Sequence, residues 1–227
     1  MRGVVASAGR GPGALGRALS AALAGALLGC VPDDPAPVWV GPLDDGTCEP
    51  EVYPCGETGT GACSLIDDLD FDAANEAAEA IGSEPTSLAL HDLYADSSVV
   101  GILLFGTAGW CQFCGQEGAW LVTIYDQYQD VDGAGGRLEF VAVVFQDDYG
   151  RPATQEYAAG YAARRGFPFP AVADPSGGVL RYFDPASAPG NIFVNRGDMM
   201  IRQVIQGFDQ TAIEQGLRAL DGTAGCQ

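Results

Sequence analysis

Residues 99–121 read VVGILLFGTAGWCQFCGQEGAWL. Val99, Val100, Ile102, Leu103, Leu104 and Phe105 follow one another with no charge among them, the pattern of a central strand buried on both faces. The run is expected to break at Gly106 and Gly109. From Gln112 onward the apolar spacing becomes helical, through Phe113, Trp120, Leu121, Ile124 and Tyr125. Cys111 and Cys114 therefore fall where a buried strand hands over to a helix.

That position has chemical consequences. The first turn of a helix presents unpaired N–H groups and a partial positive charge, and the thiolate is the reactive form of cysteine. Cys111 is expected to be the acidic, exposed thiol. Cys114 lies three residues on, on the same helical face and within reach of an S–S bond. A bare CxxC would also serve as half a zinc site, but zinc needs two further ligands. No second CxxC, CxxH or HxxxH supplies them, so no metal is expected.

Trp110-Cys111-Gln112-Phe113-Cys114 resembles the WCxxC active site of thioredoxin-fold proteins, and the strand-turn-helix context strengthens the match. The resemblance makes Cys111 and Cys114 the catalytic pair and Trp110, Gln112 and Phe113 its neighbours. No bound cofactor is required, because the pair itself carries the electrons.

The chain has 227 residues, enough for one domain with appendages. It holds 30 acidic residues against 11 basic ones, all arginine, for a net charge of −19. A surface so negative repels phosphate backbones, which argues against nucleic acid as a partner; solubility is the plainer meaning of the acidity. Residues 1–29 have the layout of a secretory signal, with Arg2, Arg10 and Arg17 ahead of the apolar stretch LSAALAGALL at 19–28. Leu27-Leu28-Gly29-Cys30 resembles the bacterial lipobox, which implies lipid attachment at Cys30 and a membrane-anchored lipoprotein.

Of seven cysteines, Cys48, Cys55, Cys63 and Cys226 remain, an even number that in an exported protein predicts two structural disulfides. Cys48 with Cys55 and Cys63 with Cys226 is one plausible pairing among three. Residues 30–62 are rich in Pro, Gly and Asp and read as a tether or irregular cap. A domain over 63–222 and a short tail over 223–227 complete the organisation.

Within the domain, Leu69, Asp70, Phe71 and Asp72 alternate like a half-buried strand. Asp68, Asp70, Asp72, Glu76 and Glu79 also match the spacing of a calcium loop, but the turn glycine is replaced by Ala73. Residues 87–94 (SLALHDLY) read as an alternating segment leading into the central strand, with the one histidine, His91, exposed on it. A second buried strand is expected over 138–145 (LEFVAVVF), joined to the first by a parallel right-handed crossover. A helix over 152–165 with Pro152 in its first turn, a short strand at 171–173 and a helical piece at 179–183 follow. Residues 192–195 and 199–205 form a hairpin, and a last helix runs from Asp209 to about Leu220.

This order resembles the thioredoxin fold, an α/β architecture with a central mixed sheet flanked by helices, and in particular its exported, membrane-tethered TlpA-like branch. The match spans about 63–220 and rests on Leu88-x-Leu90-x-Asp92-Leu93, Trp110-Cys111-x-x-Cys114-x-x-Glu117, Val172-x-Asp174, and Ala188-Pro189 before Ile192-Phe193-Val194-Asn195-x-Gly197. The resemblance implies that Pro189 is cis and lies against the cysteine pair, leaving the backbone of Ala188 as an edge for a substrate chain. It implies that Glu117 handles a proton; an ordinary first-turn carboxylate is the alternative. Gln112-Phe113 departs from the Pro or His common between the cysteines, the link 107–110 is one residue longer than usual, and residues 99–105 contain no buried acid.

The function expected is thiol:disulfide exchange with cysteine-containing exported proteins, recharged by an upstream thiol donor, on the periplasmic face of a bacterial membrane. Two alternatives are a peroxiredoxin-like peroxidase and a copper-delivery module. The first needs a Thr and a Pro closer to the nucleophile than Thr107 stands, and the second needs a histidine that the chain after Cys114 lacks.

Overall fold

The uncharged run at 99–108 forms the middle of the sheet. In the computed structural model, which describes residues 49, 52–131, 133 and 135–220, β3 (Val99–Ala108) is buried along nearly its whole length. It pairs in parallel with β4 (Arg137–Gln146) and antiparallel with β6 (Gly190–Asn195). The remaining strands are β1 (Asp70–Ala73), β2 (Ser87–Ala89), β5 (Ala171–Ala173) and β7 (Met200–Gln206), in the order β2-β1-β5-β4-β3-β6-β7. Strands β3, β4 and β5 run parallel because helices connect them: α3 (Gln112–Ile124), continued by a 3-10 turn at Tyr125–Tyr128, and α4 (Gln155–Arg165). Shorter helices are α1 (Glu76–Glu79), α2 (Leu90–Ala95) and α5 (Gln210–Arg218). The fold is thus α/β with a mixed central sheet, as the sequence predicts. No helix among the described residues is long and apolar enough to cross a membrane.

Several local expectations are corrected. Gly106 does not end the strand but lies inside it, paired with Gly190 of β6. The ring of Phe183 covers both: a Cβ on Gly106 would stand 2.4 Å from Phe183 Cζ, and one on Gly190 2.3 Å from Cγ. These glycines make room for an aromatic ring. Residues 87–94 are not one alternating segment, since β2 gives way to α2 after Ala89, where the Asp92 carboxylate accepts from Ala89 N at 2.9 Å. His91 is therefore helical and half-buried, with Nδ1 2.8 Å from Asp68 Oδ2.

The calcium-loop spacing is spread over a strand and a helix. β1 is extended, and Asn75 caps α1 by accepting from Ala78 N. Pro152 pairs with Gln146 ahead of α4, and Thr154 caps that helix instead, accepting from Tyr157 N. The helical piece near 179–183 is a 3-10 turn at Gly178–Arg181.

The segment before β1 packs on the domain. Tyr53 Oη donates to Ile66 O at 3.0 Å, Leu65 bridges Met200, and Cys63 N donates to Ile201 O at 2.7 Å. Cys55 and Cys63 are both in disulfides. Cys30, Cys48 and Cys226 lie outside the described residues.

Candidate active site

Cys111 is the N-cap of α3, its backbone still extended while the next residue is helical. Its sulfur accepts from Cys114 N at 3.0 Å, so one of the free donors of the helix start already points at it. Cys111 and Cys114 are joined by a disulfide, with Cα atoms 5.2 Å apart. Cys114 is fully buried, whereas Cys111 keeps 5 % of its surface. The expectation of an openly exposed Cys111 is corrected: it is the less buried residue of the pair, but it is buried, with the Ala188 carbonyl lying against its sulfur.

The cover comes from the segment that leads into β6, the strand beside β3. Asp184 caps a 3-10 turn at Pro185–Ser187, which delivers Ala188 and a cis Ala188–Pro189 peptide. Ala188 O lies 3.5 Å from Cys111 Sγ, and Pro189 O accepts from Gly207 N at 2.7 Å. Ala188 and Pro189 are thus brought to the site from 77 and 78 residues beyond Cys111 in sequence.

Gly109 and Trp110 form the turn between β3 and α3. Gly109 has no room for a side chain, since a Cβ there would stand 1.9 Å from Tyr157 Oη, which bonds Asp148 Oδ1 at 2.7 Å. Trp110 Nε1 donates to Gln146 Oε1 at 2.9 Å and its ring meets Phe145 edge-on, yet 43 % of the residue faces solvent. Gln112 is exposed. Phe113, expected on the buried face of α3, is instead 60 % exposed, because Cys114, Glu117, Gly118, Leu121 and Ile124 make that face. Tyr149, in the loop that holds Asp148, is 83 % exposed. Among the described residues, two of the four exposed large apolar side chains, Trp110 and Phe113, belong to the segment that carries the disulfide; the others are Val52 and Tyr149.

Glu117 is one turn beyond Cys114 on the buried face, and both its carboxyl oxygens are buried without a hydrogen-bond partner. Burial pushes its carboxyl up to about 8, an effect that the nearby Asn191 amide partly offsets. This excludes the reading of Glu117 as an ordinary solvated first-turn carboxylate. Asn191 is itself fully buried on β6, two residues after Pro189, and both its amide atoms also lack partners. The sequence reading missed Asn191; the signal was an amide two residues after Pro189, followed directly by the apolar run Ile192-Phe193-Val194. It also missed Arg165 of α4, whose guanidinium lies over the Tyr161 ring at 4.3 Å and against Gly115 in the first turn of α3.

No family model matches the chain, and no curated protein matches it. Solved structures do. A secreted thiol-disulfide isomerase from Corynebacterium glutamicum aligns with a TM-score of 0.50 at 19 % identity, over 70 % of this chain and 86 % of that one. A candidate thiol:disulfide interchange protein DsbE from Chlorobium tepidum aligns with a TM-score of 0.51 at 19 % identity, over 72 % and 99 %. The peroxidoxin BcpB from Mycobacterium tuberculosis aligns with a TM-score of 0.53 at 16 % identity, over 74 % and 100 %. At these identities the likeness is one of architecture, and the chain has the thioredoxin-like fold that these redox proteins share.

Proposed function

We propose that this protein is a thiol:disulfide oxidoreductase acting on cysteine-containing polypeptides outside the cytoplasm. The observation that carries the reading is the Cys111–Cys114 disulfide at the start of α3, with Cys114 fully buried and Cys111 the less buried of the two, beside the Ala188 carbonyl. In the dithiol state, the Cys111 thiolate is favoured by the helix start and by the Cys114 N–H. It attacks a substrate disulfide, forming a mixed disulfide and releasing one substrate thiolate, which takes up a proton. Glu117 in its ionised form then takes the proton of Cys114, whose thiolate attacks the Cys111 sulfur. The bond from Cys111 to the substrate sulfur breaks, and the second substrate thiolate leaves and takes up a proton from solvent. Glu117 returns its proton to solvent, and the disulfide of the resting protein is left. A thiol donor returns the pair to the dithiol.

The exposed rings of Trp110 and Phe113 favour a polypeptide over a small peroxide as the partner, since a peroxide needs no apolar platform. Export agrees with the signal-like residues 1–29 and with the secreted status of the Corynebacterium protein. In this reading Cys30 carries the lipid anchor, Cys48, Cys55, Cys63 and Cys226 stay out of the cycle, and the partners are exported proteins. Reduction of insulin disulfides in the presence of a small dithiol tests the proposal: turnover that disappears in Cys111→Ser supports it. Consumption of hydrogen peroxide without insulin reduction would replace it with a peroxidase.

A further inference from the structure

We propose that Asn191 is a positioning residue of this site: its buried amide, on the strand that follows Ala188–Pro189, faces Glu117 and holds that carboxyl ready to take the Cys114 proton. Two fully buried polar side chains near one another would ordinarily be bonded to something, because each unsatisfied group loses its hydration without compensation. Here all four polar atoms of Glu117 and Asn191 are left without partners. Among the described residues, no other buried carboxyl or amide side chain has both polar atoms in that condition.

An amide suits such a place because it serves both charge states. Its Nδ2–H can donate to a carboxylate, and its Oδ1 can accept from a protonated carboxyl. A proton arriving at Glu117 from Cys114 therefore meets a neighbour that reorients and does not resist. The cysteine sulfur loses the proton and ionised Glu117 gains it, so the negative charge moves by one turn of the helix. The topology fixes the pair: α3 carries Glu117 one turn past Cys114, and β6, paired directly to β3, carries Asn191 opposite Phe105.

No charged side chain competes for Glu117. Burial raises its carboxyl and the Asn191 amide partly offsets that. Arg165 of α4 is placed over Tyr161 and against Gly115, Tyr161 bonds Thr107 of β3 at 2.7 Å, and the nearby cysteines are joined to one another.

The exchange step rests on the function proposed above, but the Asn191–Glu117 coupling can be measured without it. The test is an infrared pH titration of the Glu117 carboxyl in the full-length oxidised protein, identified by its loss in Glu117→Gln. In Asn191→Leu the midpoint should rise by about one pH unit, the equivalent of one hydrogen bond to a charged group. In the isosteric Asn191→Asp, two adjoining carboxyls should titrate in two well-separated steps. A midpoint unchanged in Asn191→Leu, or two independent carboxyl titrations in Asn191→Asp, would overturn the proposal. If Asn191→Leu does not fold, the Asn191→Asp result decides alone. In the exchange assay, Asn191→Leu should displace the pH profile of the resolving step in the wild-type background and leave it in place in Glu117→Gln; equal displacement in both would make Asn191 merely structural. Absence of exchange by the wild type would remove the proposed function and leave the titration result standing.

Discussion

Glu139 and Glu117 are both buried carboxyls, at opposite ends of the strands that build this sheet. Glu139, on β4 near the start of β3, accepts from Tyr125 Oη at 2.8 Å and Arg137 Nε at 2.9 Å. Arg137 reaches on to Asp96 at 2.8 Å, and Ser98 bonds the same aspartate. Burial and the Glu139 carboxylate push the Tyr125 phenol up, so it remains a donor. Every group in that network has a bonded partner. Glu117, at the disulfide end, has none of this: burial opposes its charge and no cation supports it. The difference teaches how one residue type serves two purposes. Saturated with donors, a buried carboxyl locks strands together; deprived of them, it exchanges its proton near neutral pH.

The comparison breaks most visibly at Arg137. Arg137→Leu leaves Glu139 and Asp96 without their cation and should cost about 3–5 kcal/mol, measured by urea unfolding. Exchange by the folded fraction should stay as it is; a change there would mean that the two ends are not separate. Glu117→Gln should act in the other direction. In wild type the folded state keeps a proton on Glu117 up to about pH 8, whereas the unfolded carboxyl loses it near 4.5. Between those values the folded state binds more protons, so stability falls as pH rises, by a few kcal/mol in total. Unfolding at pH 5 and pH 8 should show that fall in wild type and a much smaller one in Glu117→Gln. The same variant should alter the pH dependence of the resolving step more than that of the first attack, because Cys111 is served by the helix start. The smallest effect is expected at Phe113. Phe113→Ser should raise the KM for a polypeptide substrate about 3–10-fold, in keeping with the loss of roughly 1 kcal/mol of apolar contact, and change stability by less than about 0.5 kcal/mol. An equal effect on a small dithiol substrate would remove the ring from the docking surface.

The central strand and the turn into α3 were legible because both depend on local pattern: an uncharged β-branched run, then two cysteines where helical spacing begins. The resemblance supplied Pro189 and Ala188, which no local pattern would have joined to Cys111. The misreadings share one cause, a side chain whose fate is set by a distant partner. Phe113 fits an apolar helical period, but Cys114 and Glu117 occupy the inward face. Gly106 looks like a break until Phe183 arrives from 77 residues later to lie over it. Residues 87–94 alternate, yet the Asp92 carboxylate reaches back to the Ala89 and Ser83 N–H groups and starts a helix. Asn191 is invisible without Glu117, since a single polar residue in a strand carries no chemistry until its neighbour is known.

The most direct test is to stop the reaction halfway. A Cys114→Ser variant, with Cys111 as the free thiol and the other disulfides kept intact, mixed with a cystine-containing polypeptide, lacks the sulfur that resolves the mixed disulfide. Mass spectrometry of the tryptic fragments should find the polypeptide joined to Cys111 in near-stoichiometric yield. Attachment at another cysteine, or no covalent product while the polypeptide's own disulfide stays intact, would contradict the assignment of Cys111 as the exchanging thiol.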